Sequence, residues 1–315
     1  MHSLEPELRE LHEAGVIDDA TAARAGALER RTVVSLFEEL RATLYAGVGL
    51  VMAGIGIVLR RNLDRIGPLT VTATLAAVAA ACYASAIRTR RRAAPRSIGG
   101  DYLLLLGALI ASADLGYGEA QFHWLGADWS RHLLLLALLH ALTAYALDSR
   151  LVLSVALTSL AGWLGVERSF GSALDLPHPE SVLAVRALGC ASIVVLWRTL
   201  HERLQGARPF TAVFDHYAAN LGFWGALGWC AVDQTRLAGL LLLAVLAGVA
   251  IRRGLRAAQE SFVVYGVVYG AIGAGIVTVR LSTDPLLVTG ASLAIVIAAA
   301  VLLWRLHARL RERGS

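Results

Sequence analysis

Lysine is absent: all 29 basic residues are arginine. Without it there is no P-loop lysine, no Schiff-base lysine and no kinase-type lysine. HExxH, CxxC and GxSxG are missing as well, so several large enzyme classes have no motif to rest on. Cysteine is scarce. Cys82, Cys190 and Cys230 all fall inside apolar runs, form neither a disulfide framework nor a metal spacing, and read as small buried hydrophobes. The start, MHSLEPELREL, is acidic and lacks an apolar core, so no cleavable signal peptide is expected.

Apolar residues are what the chain has in excess. They make up 57% of its 315 residues, against about 45–50% for a soluble globular chain. They are gathered into runs separated by short charged connectors, as in a polytopic helical membrane protein, where about 20 apolar residues cross the hydrocarbon layer. A soluble helical protein would show amphipathic stripes instead. Ten runs can be counted: 42–59, 67–87, 102–115, 132–147, 151–166, 181–197, 217–232, 237–251, 261–279 and 285–304. The short ones predict either helices extended by boundary residues or re-entrant segments, and leave the count of spans open by about two.

The expected fold is all-α, with a small cytosolic helical hairpin over residues 1–40 and a transmembrane helical domain over 41–315. In the hairpin Leu4, Leu8 and Leu11 share one helical face, Gly15 is the expected stop and Asp18 the expected cap of the second helix. Ten crossings put both termini on one side. Assigning that side and the even-numbered connectors to the cytosol places 21 arginines inside and 7 outside, with Arg186 left within a span. This follows the positive-inside rule and predicts an inner-membrane protein with cytoplasmic N- and C-termini. The connector RTRRRAAPRS is the strongest cytosolic anchor.

Small residues recur on two spans: Gly49, Ala53 and Gly56 on the first, and Gly266, Gly270 and Ala274 on the ninth. They predict close helix packing, with helices that move or line a path as the functional alternative.

The stretches LRELHEAGVIDDATA, GVGLVMAGIGIVL and RNLDRIGP, with GALIASADLGYGEA and YALDSRLVLSVALTSLAGWLGV further on, resemble the bacterial predicted membrane proteins that carry domain of unknown function 2157. Leu63 stands where that family tends to have tryptophan. The resemblance implies an inner-membrane location; it implies no activity and no catalytic residues.

Residues that could carry chemistry are few. RRNLDRIGP interrupts the arginine pattern by placing Arg60, Arg61 and Arg65 outside, beside Asp64. They are candidates for an anion or lipid-phosphate site, for a collar in which Asp64 pairs with an arginine, or simply for a helix end that snorkels. The outer segment DLGYGEAQFHWLGADWSRH holds Asp114, Glu119, His123 and Asp128 among aromatic residues. Glu119 and His123 share a helical face at i, i+4, which would suit a metal, yet an interfacial aromatic belt with solvated charges explains the same residues. Arg186 lies within the sixth run, where a charge needs either a route to the surface or a partner, Asp114 or Glu180. His140 sits mid-span and is expected to hydrogen-bond a neighbouring helix, with a proton relay as the alternative. Asp215, His216 and Asn220 read as a helix start. RRGLRAAQE and the basic C-terminus fit attraction to anionic lipid without nucleic acid.

No cofactor is expected. The partners expected are membrane lipids and, through residues 1–40, a cytosolic protein. The preferred function is transport or handling of a lipid or small molecule. The alternatives are a non-enzymatic assembly protein using the hairpin, and a membrane-embedded enzyme at the outer leaflet using Glu119, His123 or Asp128.

Overall fold

The computed structural model describes residues 10–19, 21–22, 37–62, 67–92, 98–124, 130–165, 179–205, 210–282 and 284–313. Among them there is no strand, and ten long helices follow in order. They are α1 (Phe37–Asn62), α2 (Pro68–Arg92), α3 (Ile98–Phe122), α4 (Ser130–Ala146), α5 (Arg150–Trp163), α6 (Pro179–Gln205), α7 (Thr211–Ala231), α8 (Arg236–Arg256), α9 (Glu260–Leu281) and α10 (Pro285–Arg313). Each expected run falls in one helix. Seven of the helices, α1, α2, α3, α6, α8, α9 and α10, are long and apolar enough to cross a membrane; α4 and α5 are apolar but shorter. α7 spans 21 residues but carries Asp215, His216 and Asn220.

The short run 102–115 left open an extended helix or a re-entrant segment. α3 is the former, one helix of 25 residues that continues through the polar stretch to Phe122. Ala, Glu and Gln are good helix formers, so polarity there changes the surroundings of the helix without ending it.

Near the N-terminus the expected stop and cap are both formed. The Gly15 amide donates to the His12 carbonyl (3.0 Å) and the Val16 amide to the Leu11 carbonyl (2.9 Å), with Gly15 at φ +68°. This is the paired-bond stop that glycine makes easy. Asp18 Oδ1 then accepts from the Thr21 amide at 2.9 Å, and hydrogen bonds from the Thr21 hydroxyl and then its amide hold the carboxyl below the usual carboxylate range. Leu4, Leu8 and the rest of the hairpin lie outside the described residues.

The described residues fall into two compact units, one of residues 44–246 with 279–281 and one of 247–278 and 282–315 with the N-terminal residues up to 43. In the first unit α2 packs on α3, α4 on α5, and α6 on α7, three antiparallel pairs. The short α5 touches α3, α4, α6 and α7 and joins the pairs. Its 14 residues include seven buried ones, from Val152 to Gly162. Around Val152, Leu153 and Leu157 the core gathers Leu104 and Ala108 of α3, Cys190 and Val194 of α6, and Phe214 of α7. All three cysteines are free, Cys190 and Cys230 buried and Cys82 partly so. At the α6–α7 contact a Cβ on Gly225 would stand 2.5 Å from Leu188 Cγ, so only glycine lets these backbones approach.

The glycines of α1 do not pack as expected. Within this unit a Cβ on Gly47, Gly49, Gly54 or Gly56 would meet nothing within 4 Å. The bulky face packs instead: Val48 against Tyr102 and Leu105, and Met52 and Ile55 against Val71, Leu75 and Ile110. In the second unit the expectation holds for one glycine, Gly266, where a Cβ would lie 2.7 Å from Ile251 Cγ1 and 2.8 Å from the Ala247 carbonyl. There Val263 and Val267 of α9 and Leu306 of α10 form the core, with Ile251 and Leu255 of α8 against it.

Candidate functional site

Two groupings of polar side chains stand out in the first unit. One is the end where α2, α4 and α6 finish and α3, α5 and α7 begin. Arg90 pairs there with Asp101 and donates to the Leu147 carbonyl, tying α2, α3 and α4 together. Trp197 Nε1 donates to the Tyr145 hydroxyl (3.1 Å), which lies 3.0 Å from His201 Nδ1. The His201 ring packs between Phe210 and Phe214. Arg198 pairs with Asp215 and, at 3.0 Å, with Glu202. Asp215 is thus a buried partner one turn into α7 rather than only a helix start. This network holds the ends of three helix pairs in register.

The second place is a cleft of about 560 Å³ between α1, α3, α4 and α5. Its walls are mostly apolar, with Leu105, Leu109, Leu136 and Val155 among them. Its polar lining comes from Tyr45, Ser112, His132, Ser154, Thr158 and Ser159. The α3 positions from Leu105 to Ala113 climb about 12 Å of helix. Behind it, His140 is wholly buried, its Nε2 lying 2.8 Å from Ser112 Oγ. His140 therefore bonds a neighbouring helix, as its position predicts. Its Nδ1 is buried and makes no hydrogen bond.

The expected site residues are dispersed. Arg186 is exposed about two turns into α6, and its Nη1 donates to the Gly165 carbonyl (3.1 Å) beyond the end of α5. A helix C-terminus carries partial negative charge, so the end of α5 gives the guanidinium a favourable acceptor. Gly165 stands at φ +76°, and a Cβ on it would lie 2.6 Å from that nitrogen. Asp114 Oδ1, on α3, is buried without a hydrogen bond. Glu119 is buried near the end of α3, and its carbonyl accepts from the His123 amide at 2.9 Å. His123, at φ +52°, ends the helix, and the chain turns so that Trp124 stacks on Phe122, with ring centroids 5.1 Å apart. Arg60 and Arg61 are carried on the last turn of α1, where basic residues suit the helix dipole; their side chains, with Asp64, Arg65, Asp128 and the side chain of Glu180, lie outside the described residues. Among the described residues no three His, Cys, Asp or Glu side chains gather as metal ligands.

The lining hydroxyls of the cleft did not stand out in the sequence. Their signal was Ser154, Thr158 and Ser159, spaced at i, i+4 and i+5 in RLVLSVALTSLAGW, and Ser112 in GALIASAD.

Long apolar helices packed around a cleft without charged side chains define a helical membrane protein with several membrane-capable segments. Residues 9–153, just under half of the chain, match the family described as Predicted membrane protein (DUF2157), the family that the sequence resembles. No curated protein and no solved structure matches the chain.

Proposed function

We propose that the chain crosses the inner membrane ten times with both termini in the cytoplasm, and handles a lipid or small molecule through the cleft between α1, α3, α4 and α5. One helix per apolar run and the division of arginines between connectors support the topology. The observation that carries the activity is a cleft of ligand size whose hydroxyl groups lie within otherwise apolar helices. A photo-crosslinking residue at Leu109, on the cleft, is compared in growing cells with one at Leu135, exposed on α4. The cleft position should capture a discrete species enriched over bulk phospholipid; identical adducts at both positions would overturn the reading. For the topology, an impermeant thiol reagent on intact cells should label cysteines placed in odd-numbered connectors only.

A second reading, assembly with a cytosolic partner through residues 1–40, draws on Leu11 and Val16, which are 42% and 68% exposed. Removing residues 1–36 should then abolish recovery of that partner while leaving ligand capture at Leu109 intact.

A further inference from the structure

We propose that the cleft recognises the hydroxyl head of an uncharged long-chain amphiphile, using the side-chain oxygens of Ser112, Ser154, Thr158 and Ser159 as acceptors. The inference rests on the ligand-handling reading above and adds the chemical class of the ligand.

The argument follows the protons. Ser154 Oγ donates to the Arg150 carbonyl (3.1 Å) and Ser159 Oγ to the Val155 carbonyl (2.9 Å), each four residues back on α5. Thr158 has its proton on the Ser154 carbonyl (2.9 Å) or on the Tyr217 hydroxyl (2.7 Å). Ser112 Oγ donates to the Ala108 carbonyl at 2.9 Å. A hydroxyl has one proton and two lone pairs, so Ser112 meets His140 as an acceptor. His140 Nε2 therefore carries hydrogen, and the nitrogen left buried without a bond is the bare Nδ1. That tautomer avoids leaving a buried N–H unsatisfied, the costlier arrangement.

None of the four hydroxyls has a proton left for a ligand, and lone pairs remain. These four side chains thus offer a ligand acceptors and no donor. Tyr45 and His132, which also line the cleft, already make contacts with the protein. Among the described residues no carboxylate or guanidinium lines the cleft. At these four oxygens an anion would meet lone pairs of its own kind, and a cation would be desolvated without a counter-charge. A hydroxyl supplies what is missing, one donor without charge, and an alkyl chain fits the leucine and valine walls.

The test uses the detergent-solubilised full chain and hexadecanol carrying a mid-chain diazirine. Photolabel is expected in α3 and α5 peptides. Hexadecanol should displace it about three- to tenfold better than its methyl ether, which lacks only the donor, and better than hexadecanoate. In the Ser154→Ala/Ser159→Ala variant, checked for an unchanged elution profile, the preference for alcohol over ether should shrink toward one. Labelling of the cleft with ether or carboxylate competing as well as alcohol would overturn the head-group assignment and leave the cleft reading standing. An alcohol preference untouched by the double variant would overturn the role of these oxygens. Label spread over all apolar helices without competition would overturn the cleft reading itself.

Discussion

The two polar regions of the 44–246 unit use similar groups in opposite ways. At the Arg90–Arg198 end, donors reach across helices: Trp197 to Tyr145, Arg90 to Asp101 and Leu147, Arg198 to Asp215. Along the cleft, serine and threonine donate back to carbonyls of their own helices. A bond between helices fixes their register and leaves nothing over for a ligand. A bond within one helix satisfies the proton and leaves an oxygen facing outward. The first region therefore ties helices together, and the second is the one the proposed ligand reading uses.

Several substitutions would break or sharpen that contrast. The largest effect is expected from Asp215→Ala, which removes the buried partner of the half-buried Arg198 and leaves it only the more exposed Glu202 carboxylate. The loss should be about 3 kcal/mol, seen as a lowered denaturation midpoint in detergent, with part recovered in Arg198→Leu/Asp215→Leu. Gly165→Val comes next. It forces a branched residue to positive φ and drives its Cβ into the Arg186 guanidinium, so a cost of about 2 kcal/mol is expected by the same measurement. Tyr145→Phe removes the hydroxyl shared by Trp197 and His201; about 1–2 kcal/mol should be lost, with a shift in tryptophan fluorescence. At the cleft the sign of the contrast changes. Ser154→Ala should alter stability by less than about 0.5 kcal/mol while weakening ligand capture at Leu109. Smallest is an effect of acid on the N-terminal turn. Because the folded Asp18 carboxyl lies below its unfolded value, its contribution is present above the unfolded value and disappears as pH falls through the folded one. The Thr21 amide should lose exchange protection in that acid range.

Much of the architecture was legible because its causes are local. Gly15 and Asp18 end and start helices through bonds to their own neighbours, and the apolar runs mark the helices that contain them. α3 was read too short because Asp114 and Glu119 suggest a loop by polarity, whereas helix propensity and packing against α2 and α5 carry the helix to Phe122. The glycines of α1 misled for a different reason. A small face permits close packing but does not compel it, and the Val48–Met52–Ile55 face had more area to bury. The Gly165 carbonyl beside Arg186 was not foreseen, since a main-chain acceptor leaves no trace in composition. Ser112, Ser154 and Ser159 escaped notice because serine within an apolar run is ordinary until the protons are assigned.

The brevity of α5 has a consequence for the surrounding lipid. Fourteen residues make a rod of about 21 Å, while the hydrocarbon layer is about 30 Å thick. Where α5 lies in the bilayer, either the leaflet must dimple toward its Gly165 end or water must follow the Arg186 guanidinium down to meet it. In such a bilayer, longer acyl chains would raise the cost of the dimple and shorter ones would relieve it.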